Sequence, residues 1–286
     1  MLALIGPDDR WSNNPQSVES LLDAYRCARG TTFSLPPWRW QHWLARARRA
    51  RARRHLRKVM RTTTEFERRD RTKEVAFVFR PALTPQLEAI LANLSAAMAT
   101  STVLKAGRSA TVVRTNTTPS YVIKRYNPGG LPNAWRPRFA SRARAAWRNG
   151  HHLCLLGIPA ARPLALVEKN SGWGARVNYL VLEDHGDGLI DRHARTVGVS
   201  ERLANQVGRL LLGLRRADIA HRDTKASNLL VTQQEQVVLI DLDGLRHRPG
   251  GDRRDALRFL ANWTRPGDAD SLARFTAALR RRGLVT

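Results

Sequence analysis

The sequence predicts an α+β fold in two lobes, with a basic and mainly helical extension before it. Three observations carry that expectation. Residues 102–182 break into short β-prone runs around one helical stretch. From Ser200 onward, apolar residues recur at helical spacing. Before residue 99 the chain is rich in arginine and largely helical in pattern. The length, 286 residues, suits one two-lobed domain plus an extension, or two domains. Apolar residues make up 42%, enough for a sizeable core. The expected division is 1–98 for the extension, 99–182 for a small lobe and 183–286 for a large one.

The elements follow in order. Pro15 to Arg29 reads as a helix with Val18, Leu21, Leu22 and Tyr25 on one face and Gly30 as its stop. Over 38–61, Trp38, Trp40, Trp43 and Leu44 lead into a dense arginine run, with no acid between Asp23 and Glu65. This stretch suits a surface helix with its tryptophans at a headgroup boundary. It equally suits a solvated basic face anchored by core tryptophans. Glu74–Phe79 reads as a strand, and Thr84 caps a helix that turns Leu87, Ile90, Leu91 and Leu94 inward. Strands are expected at 102–105, 109–115 and 121–126, a helix over 139–156, and strands at 164–168 and 177–182. Ser200 caps a helix with Leu203, Val207, Leu210, Leu211 and Leu214 on one stripe. Two further helical stretches cover about 252–263 and 269–282.

Composition narrows the function. A net charge of +25 and a pI near 11.6 call for a polyanionic partner. Nucleic acid, an anionic membrane and a phosphorylated glycolipid all fit the charge, but no nucleic-acid motif accompanies it. Cys27 and Cys154 suggest neither a metal cluster nor a disulfide framework, which favours a reducing compartment. The first ten residues do not read as a signal peptide, and no window reaches eighteen apolar residues.

The chemistry is concentrated in one stretch. Residues 221–228 read His-Arg-Asp-Thr-Lys-Ala-Ser-Asn, and 240–244 read Ile-Asp-Leu-Asp-Gly. Between them, 229–232 and 237–240 are apolar runs around a polar turn. Paired as a hairpin with 229 opposite 240, they bring Asn228 and Asp241 together at the open end. Asp223 can then orient a hydroxyl and accept its proton, while Asn228 and Asp241 can hold Mg²⁺ on the phosphates of ATP.

These motifs, with Lys-Arg-Tyr-Asn at 124–127, resemble the lipopolysaccharide core kinases (heptose and Kdo kinases) of the protein-kinase-like superfamily. The likeness runs from about Val103 to Arg258. It implies a two-lobed protein-kinase-like fold, with strands and helix over 102–182 as the small lobe and 183–186 as the hinge, where Glu183 meets the nucleotide. It implies that Lys124 binds the α and β phosphates and that Gly107 and Ser109 belong to a reduced glycine loop over them. On its own that loop is equally a plain hairpin turn. Lys225 could neutralise the γ-phosphate, and His221 and Arg222 brace the loop. Asp243 is a candidate for a second metal or the substrate. Arg246, His247 and Arg248 either meet an anionic acceptor or form a solvated turn.

Two departures matter. The family's usual partner for the strand lysine is a glutamate on the following helix, yet no Asp or Glu occurs from Asn127 to Val167. No long activation segment follows Gly244, and Ala-Pro-Glu is absent, which points to a small or glycan acceptor. The expectation is therefore an ATP- and Mg²⁺-dependent kinase for a sugar hydroxyl of the lipopolysaccharide inner core, heptose before Kdo. Its expected place is the cytoplasmic face of the inner membrane, docked on that anionic surface, with nucleic acid not expected as a partner. The alternatives are a phosphotransferase for another small acceptor, or a pseudokinase scaffold.

Overall fold

Seven short runs between residues 66 and 183, apolar apart from the charged edge strand Phe66–Arg71, pair into a single antiparallel sheet. The computed structural model describes residues 15–31, 36–127, 138–170, 176–186, 188–248, 254–263 and 268–286. Two helices open it, α1 (Pro15–Arg29) and α2 (Pro37–Lys58). Gly30 ends α1 at φ +62, the left-handed conformation that glycine adopts without a Cβ penalty. The strands are β1 (Phe66–Arg71), β2 (Glu74–Phe79), β3 (Thr102–Ala106), β4 (Ala110–Arg114), β5 (Tyr121–Tyr126), β6 (Pro163–Asn170) and β7 (Arg176–Glu183). They lie in the order β1-β2-β6-β7-β5-β4-β3. Helix α5 (Arg138–Leu155) connects β5 to β6. The three strands, helix and two strands expected for the small lobe are all found. The hairpin β1–β2 lies within the span read as the extension, and it pairs along the outer edge of β6.

Alternation within the strands splits the core between two faces. Ala76, Val78, Ile123 and Val181 pack on one face against α3 (Pro85–Ala92) and α4 (Leu94–Ala99). Phe77, Tyr126, Leu166 and Leu180 pack on the other, with Trp147 of α5. The single helix expected after Thr84 is broken at Asn93, whose side chain accepts from Ala96 N and starts a second helix. Leu87, Ile90, Leu91 and Leu94 are nevertheless all buried, as expected.

The basic helix α2 is tied to the body by its C-terminal end. Trp147 Nε1 donates to Val59 O at 2.9 Å, and Val59 is fully buried. Trp43 is 52% exposed, while the side chains of Val18, Leu21, Trp38, Trp40 and Leu44 lie outside the described residues.

The second lobe is helical. In α7 (Glu201–Arg216), Ser200 Oγ accepts from Leu203 N at 3.0 Å, and the stripe Leu203, Val207, Leu210, Leu211 and Leu214 is buried. Helices α8 (Arg254–Ala261) and α9 (Ala269–Arg280) close the lobe around Phe259, Trp263 and Phe275. A short helix, α6 (Ile190–Thr196), precedes α7. The fold is thus α+β and two-lobed, with the basic helical extension in front.

One core contact has a pH consequence. His151 sits among Phe66, Phe79 and Trp147, with ring centroids 4.8, 5.4 and 4.3 Å away. Burial, with smaller contributions from His55 and Arg162, pushes its imidazole down to about 3. The unfolded chain therefore takes up this proton first. His151 costs the fold nothing above its unfolded value near 6.5, and destabilises it as pH falls from there toward 3. The loss is at most about 1.4 kcal/mol per pH unit. His151→Phe should flatten the decline of melting temperature between pH 6.5 and 4. An unchanged slope in thermal melts would reject the assignment.

Candidate active site

The segment that carries Asp223, Asn228 and Asp241 is framed by two small strand pairs. Strands β8 (Ile219–Ala220) and β11 (Arg246–His247) pair, as do β9 (Leu229–Val231) and β10 (Val237–Leu239). The second hairpin differs by one residue from the register read from sequence. Leu229 faces Leu239, not residue 240, and Val231 faces Val237. The cause is the turn. Thr232 N donates to Gln236 O, Thr232 Oγ1 accepts from Gln236 N, and Glu235 adopts φ +57. This closes five residues rather than four. Asn228 and Ile240 still meet, because Ile240 N donates to Asn228 O at 2.9 Å. Asp241 follows at once, at φ +62, a sparsely populated conformation for a residue with a Cβ.

The sequence-selected groups form two polar clusters, joined through the backbone bond from Ile240 N to Asn228 O. Lys225 Nζ donates to Asp223 Oδ2 at 2.7 Å. Asn228 Nδ2 donates to Asp223 O at 2.7 Å and to its Oδ2 at 3.1 Å. The Lys225 hydrogen bond leads in holding the Asp223 carboxyl below the usual range, opposed by partial burial and aided by Asn228. At the other end Lys124 Nζ lies 2.5 Å from Asp241 Oδ1. Burial raises the Asp241 carboxyl, but the Lys124 charge and hydrogen bond outweigh it and the net direction is down.

Asp243 joins the same cluster. Its Oδ2 lies 3.8 Å from Lys124 Nζ and 2.8 Å from Arg142 Nη2. The lysine left without a helix glutamate is thus met by two loop aspartates.

The other nucleotide candidates lie along the sheet. Gly107 N donates to Ala110 O, and a Cβ at Gly107 would stand 3.2 Å from that oxygen, so the turn is close-fitting there. Asn127 holds the loop from β5. Its Nδ2 donates to Gly107 O at 2.8 Å and its N to Ser109 O at 3.2 Å. At the hinge, Glu183 N donates to Arg162 O and its carboxylate is 3.8 Å from Arg162 Nε. Asp184 is bound by Arg114, Ser120 and Gly186 N.

Sequence reading missed Asp255. It is 3% exposed on α8, and its two oxygens accept from His221 N at 2.5 Å and Arg222 N at 3.0 Å. Arg222 is held at φ +71, so this carboxylate fixes the turn that presents Asp223. An acid on the buried stripe shared with Ala256 and Phe259 was the available signal. His221 Nε2 meets Ile240 O at 3.3 Å and so links the two loops, which is the bracing expected of it.

Hard oxygen donors suit Mg²⁺, which takes one or two protein ligands and keeps water and phosphate for the rest. Asp241 and Asn228 are such donors. Among the described residues no group of three or more His, Cys, Asp or Glu side chains is arranged for a metal on its own.

Residues 132–265 match the model of the lipopolysaccharide kinase (Kdo/WaaP) family. The chain is 32% identical over 139 residues to the 3-deoxy-D-manno-octulosonic acid kinase of Actinobacillus succinogenes, a match over 45% of this chain and 58% of that kinase. It therefore spans little more than half of that relative's length. Among solved structures, WaaP in complex with acyl carrier protein has 19% identity and a TM-score of 0.46 over 70% of this chain and 83% of WaaP. The bifunctional kinase-methyltransferase WbdD has 18% identity and a TM-score of 0.40 over 62% of this chain and 43% of its own. The family-model match over residues 132–265 and the likeness to the Actinobacillus kinase support the resemblance to the lipopolysaccharide core kinases.

Proposed function

We propose that the protein is an ATP- and Mg²⁺-dependent kinase that phosphorylates a sugar hydroxyl of the lipopolysaccharide inner core. The observation that carries this reading is the hydrogen-bonded chain from Lys225 through Asp223 and Asn228 to the strand pair that presents Asp241 to Lys124. In the proposed roles, Asp223 orients the acceptor hydroxyl and takes its proton. Lys225 meets the γ-phosphate and Lys124 the α and β phosphates. Gly107 and Ser109 cover the phosphates, and the backbone at Glu183 meets the nucleotide base. Asn228 and Asp241 would hold Mg²⁺, with Asp243 beside them. The metal would supply positive charge to the transferring phosphate. The transition state is loose, so positioning and charge do most of the work.

The acceptor is the less determined part. The sequence ordered heptose before Kdo, whereas the relative's name supports Kdo. Transfer from labelled ATP to purified core lacking phosphate, with mass spectrometry of the product, tests the activity and identifies the sugar. No transfer, with MgATP bound tightly, would sink the enzyme reading and favour a pseudokinase.

An anionic inner-membrane surface is the proposed docking partner. Among the described residues no helix is long and apolar enough to cross a membrane. A cavity of about 370 Å³ between α2 and the body is lined by Arg48, Arg49, Arg53, Arg216 and Arg246, with Asp218 as its one acid. Each basic side chain near an anionic leaflet contributes about 1 kcal/mol, and salt screens it. Neutralising Arg48, Arg49, Arg53 and Arg54 together should release the protein from anionic vesicles while transfer to a soluble truncated acceptor survives. Sedimentation with vesicles at two salt concentrations checks this. Unchanged sedimentation with lost activity would instead make α2 part of the acceptor site.

A further inference from the structure

Helix α5 reaches the site with a cation where an acid is expected. Arg142 Nε and Nη2 stand 2.9 and 2.8 Å from Asp243 Oδ2. Lys124 Nζ approaches the same oxygen at 3.8 Å. Both cations rest against the Tyr126 ring, 5.1 Å from its centroid for Lys124 and 5.5 Å for Arg142. Asp243 is 8% exposed, and the buried Tyr126 hydroxyl beside this cluster makes no hydrogen bond. The same helix takes a second hold on this segment, because Asn149 Nδ2 donates to Leu242 O at 2.7 Å. A buried carboxylate held between two cations is stable in place. With one cation removed, its charge is undercompensated and its orientation free.

We propose that Arg142 is a positioning residue: it fixes Asp243, and Asp243 in turn holds Lys124 for the nucleotide phosphates. The relay Lys124–Asp243–Arg142 then does with reversed polarity what a helix glutamate would do directly. The inference rests on Lys124 being the phosphate lysine. It also separates the two aspartates. Asp241 touches Lys124 now but is the metal candidate, and a carboxylate turned toward a cation no longer holds the lysine. Asp243, with Oδ2 already committed to Arg142, retains it. The placement of α5 is thereby coupled to nucleotide affinity without any acid on the helix.

The test uses the full chain and the affinity for MgADP by calorimetry, alongside the ATP KM, kcat and the melting temperature without nucleotide. Arg142→Ala should weaken MgADP binding by about tenfold, raise the ATP KM similarly and change kcat less. Arg142→Lys should lose less, since one ammonium replaces a two-nitrogen contact. In a Lys124→Ala background, Arg142→Ala should add nothing, because the relay has no end to act on. Equal losses in both backgrounds would make Arg142 merely structural and overturn the proposal, as would unchanged MgADP affinity in Arg142→Ala. If Arg142→Ala does not fold, Arg142→Gln keeps one hydrogen bond and most of the packing and carries the same comparison. If Lys124→Ala alone changes neither affinity nor turnover, the phosphate-lysine reading fails first, and the relay with it.

Discussion

Asp241→Ala and Asp241→Asn should both abolish phosphoryl transfer, by loss of the carboxylate proposed to hold the metal together with Asn228. A missing charge-stabilising contact at a transferring phosphoryl group costs about 3–4 kcal/mol or more of transition-state stabilisation. The two variants separate metal loss from backbone strain. Asp241 adopts φ +62, which asparagine tolerates and alanine resists. Asparagine should therefore keep the melting temperature and lose turnover, while alanine loses turnover and some stability as well. Lys124, freed from Asp241, stays partnered by Asp243 at 3.8 Å, so the cleft should not collapse. Thermal melts with and without MgADP provide the check: the Mg²⁺-dependent shift should vanish. Near-wild-type turnover in folded Asp241→Asn would remove the metal assignment. Asn228→Ala should be milder, because a neutral amide contributes less field.

Asp223→Asn is the second large effect. The carboxylate is ionised throughout the working range, since its value is already pulled down by Lys225, 2.7 Å away. Replacing it keeps the shape and leaves Asn228 Nδ2 bonded to the backbone oxygen at 2.7 Å. What goes is the carboxylate proposed to accept from the acceptor hydroxyl, and with it the counter-charge beside Lys225. We expect kcat to fall by about 10²-fold or more, with the ATP KM little changed. A normal kcat with a raised ATP KM would move Asp223 from the acceptor to the nucleotide.

What the sequence revealed and what it hid follow the range of the interactions. Asp223, Asn228 and Asp241 were legible because one short hairpin fixes their separation. Lys124 was legible because its strand lies between a meander and a helix. The hairpin register was not, since it turned on one left-handed residue, Glu235, that no local propensity required. Asp255 acts on His221 across 34 residues, and Arg142 acts on Asp243 across 101. Such pairings depend on where α8 and α5 pack, which periodicity does not specify. The absence of a helix glutamate could be read from residue types alone. The contacts of Lys124 with Asp243 and of Asp243 with Arg142, on which the proposed replacement rests, needed coordinates. Charge composition drew attention to α2, but could not place its end under Trp147.

The edge of β6 has a practical consequence for anyone seeking a minimal enzyme. A start at residue 99 would look natural by sequence, yet it would strip β2 from that edge. Five paired positions, from Val78 with Ala165 to Glu74 with Lys169, would be left as an open backbone ladder. Bare edges of this kind recruit strands from other molecules. The fragment should therefore self-associate, visible as light scattering on purification, where the full chain stays dispersed. The β1–β2 hairpin that follows the basic helix should thus act as a cap against polymerisation, so a minimal enzyme has to begin before residue 66 even where the helix itself is dispensable.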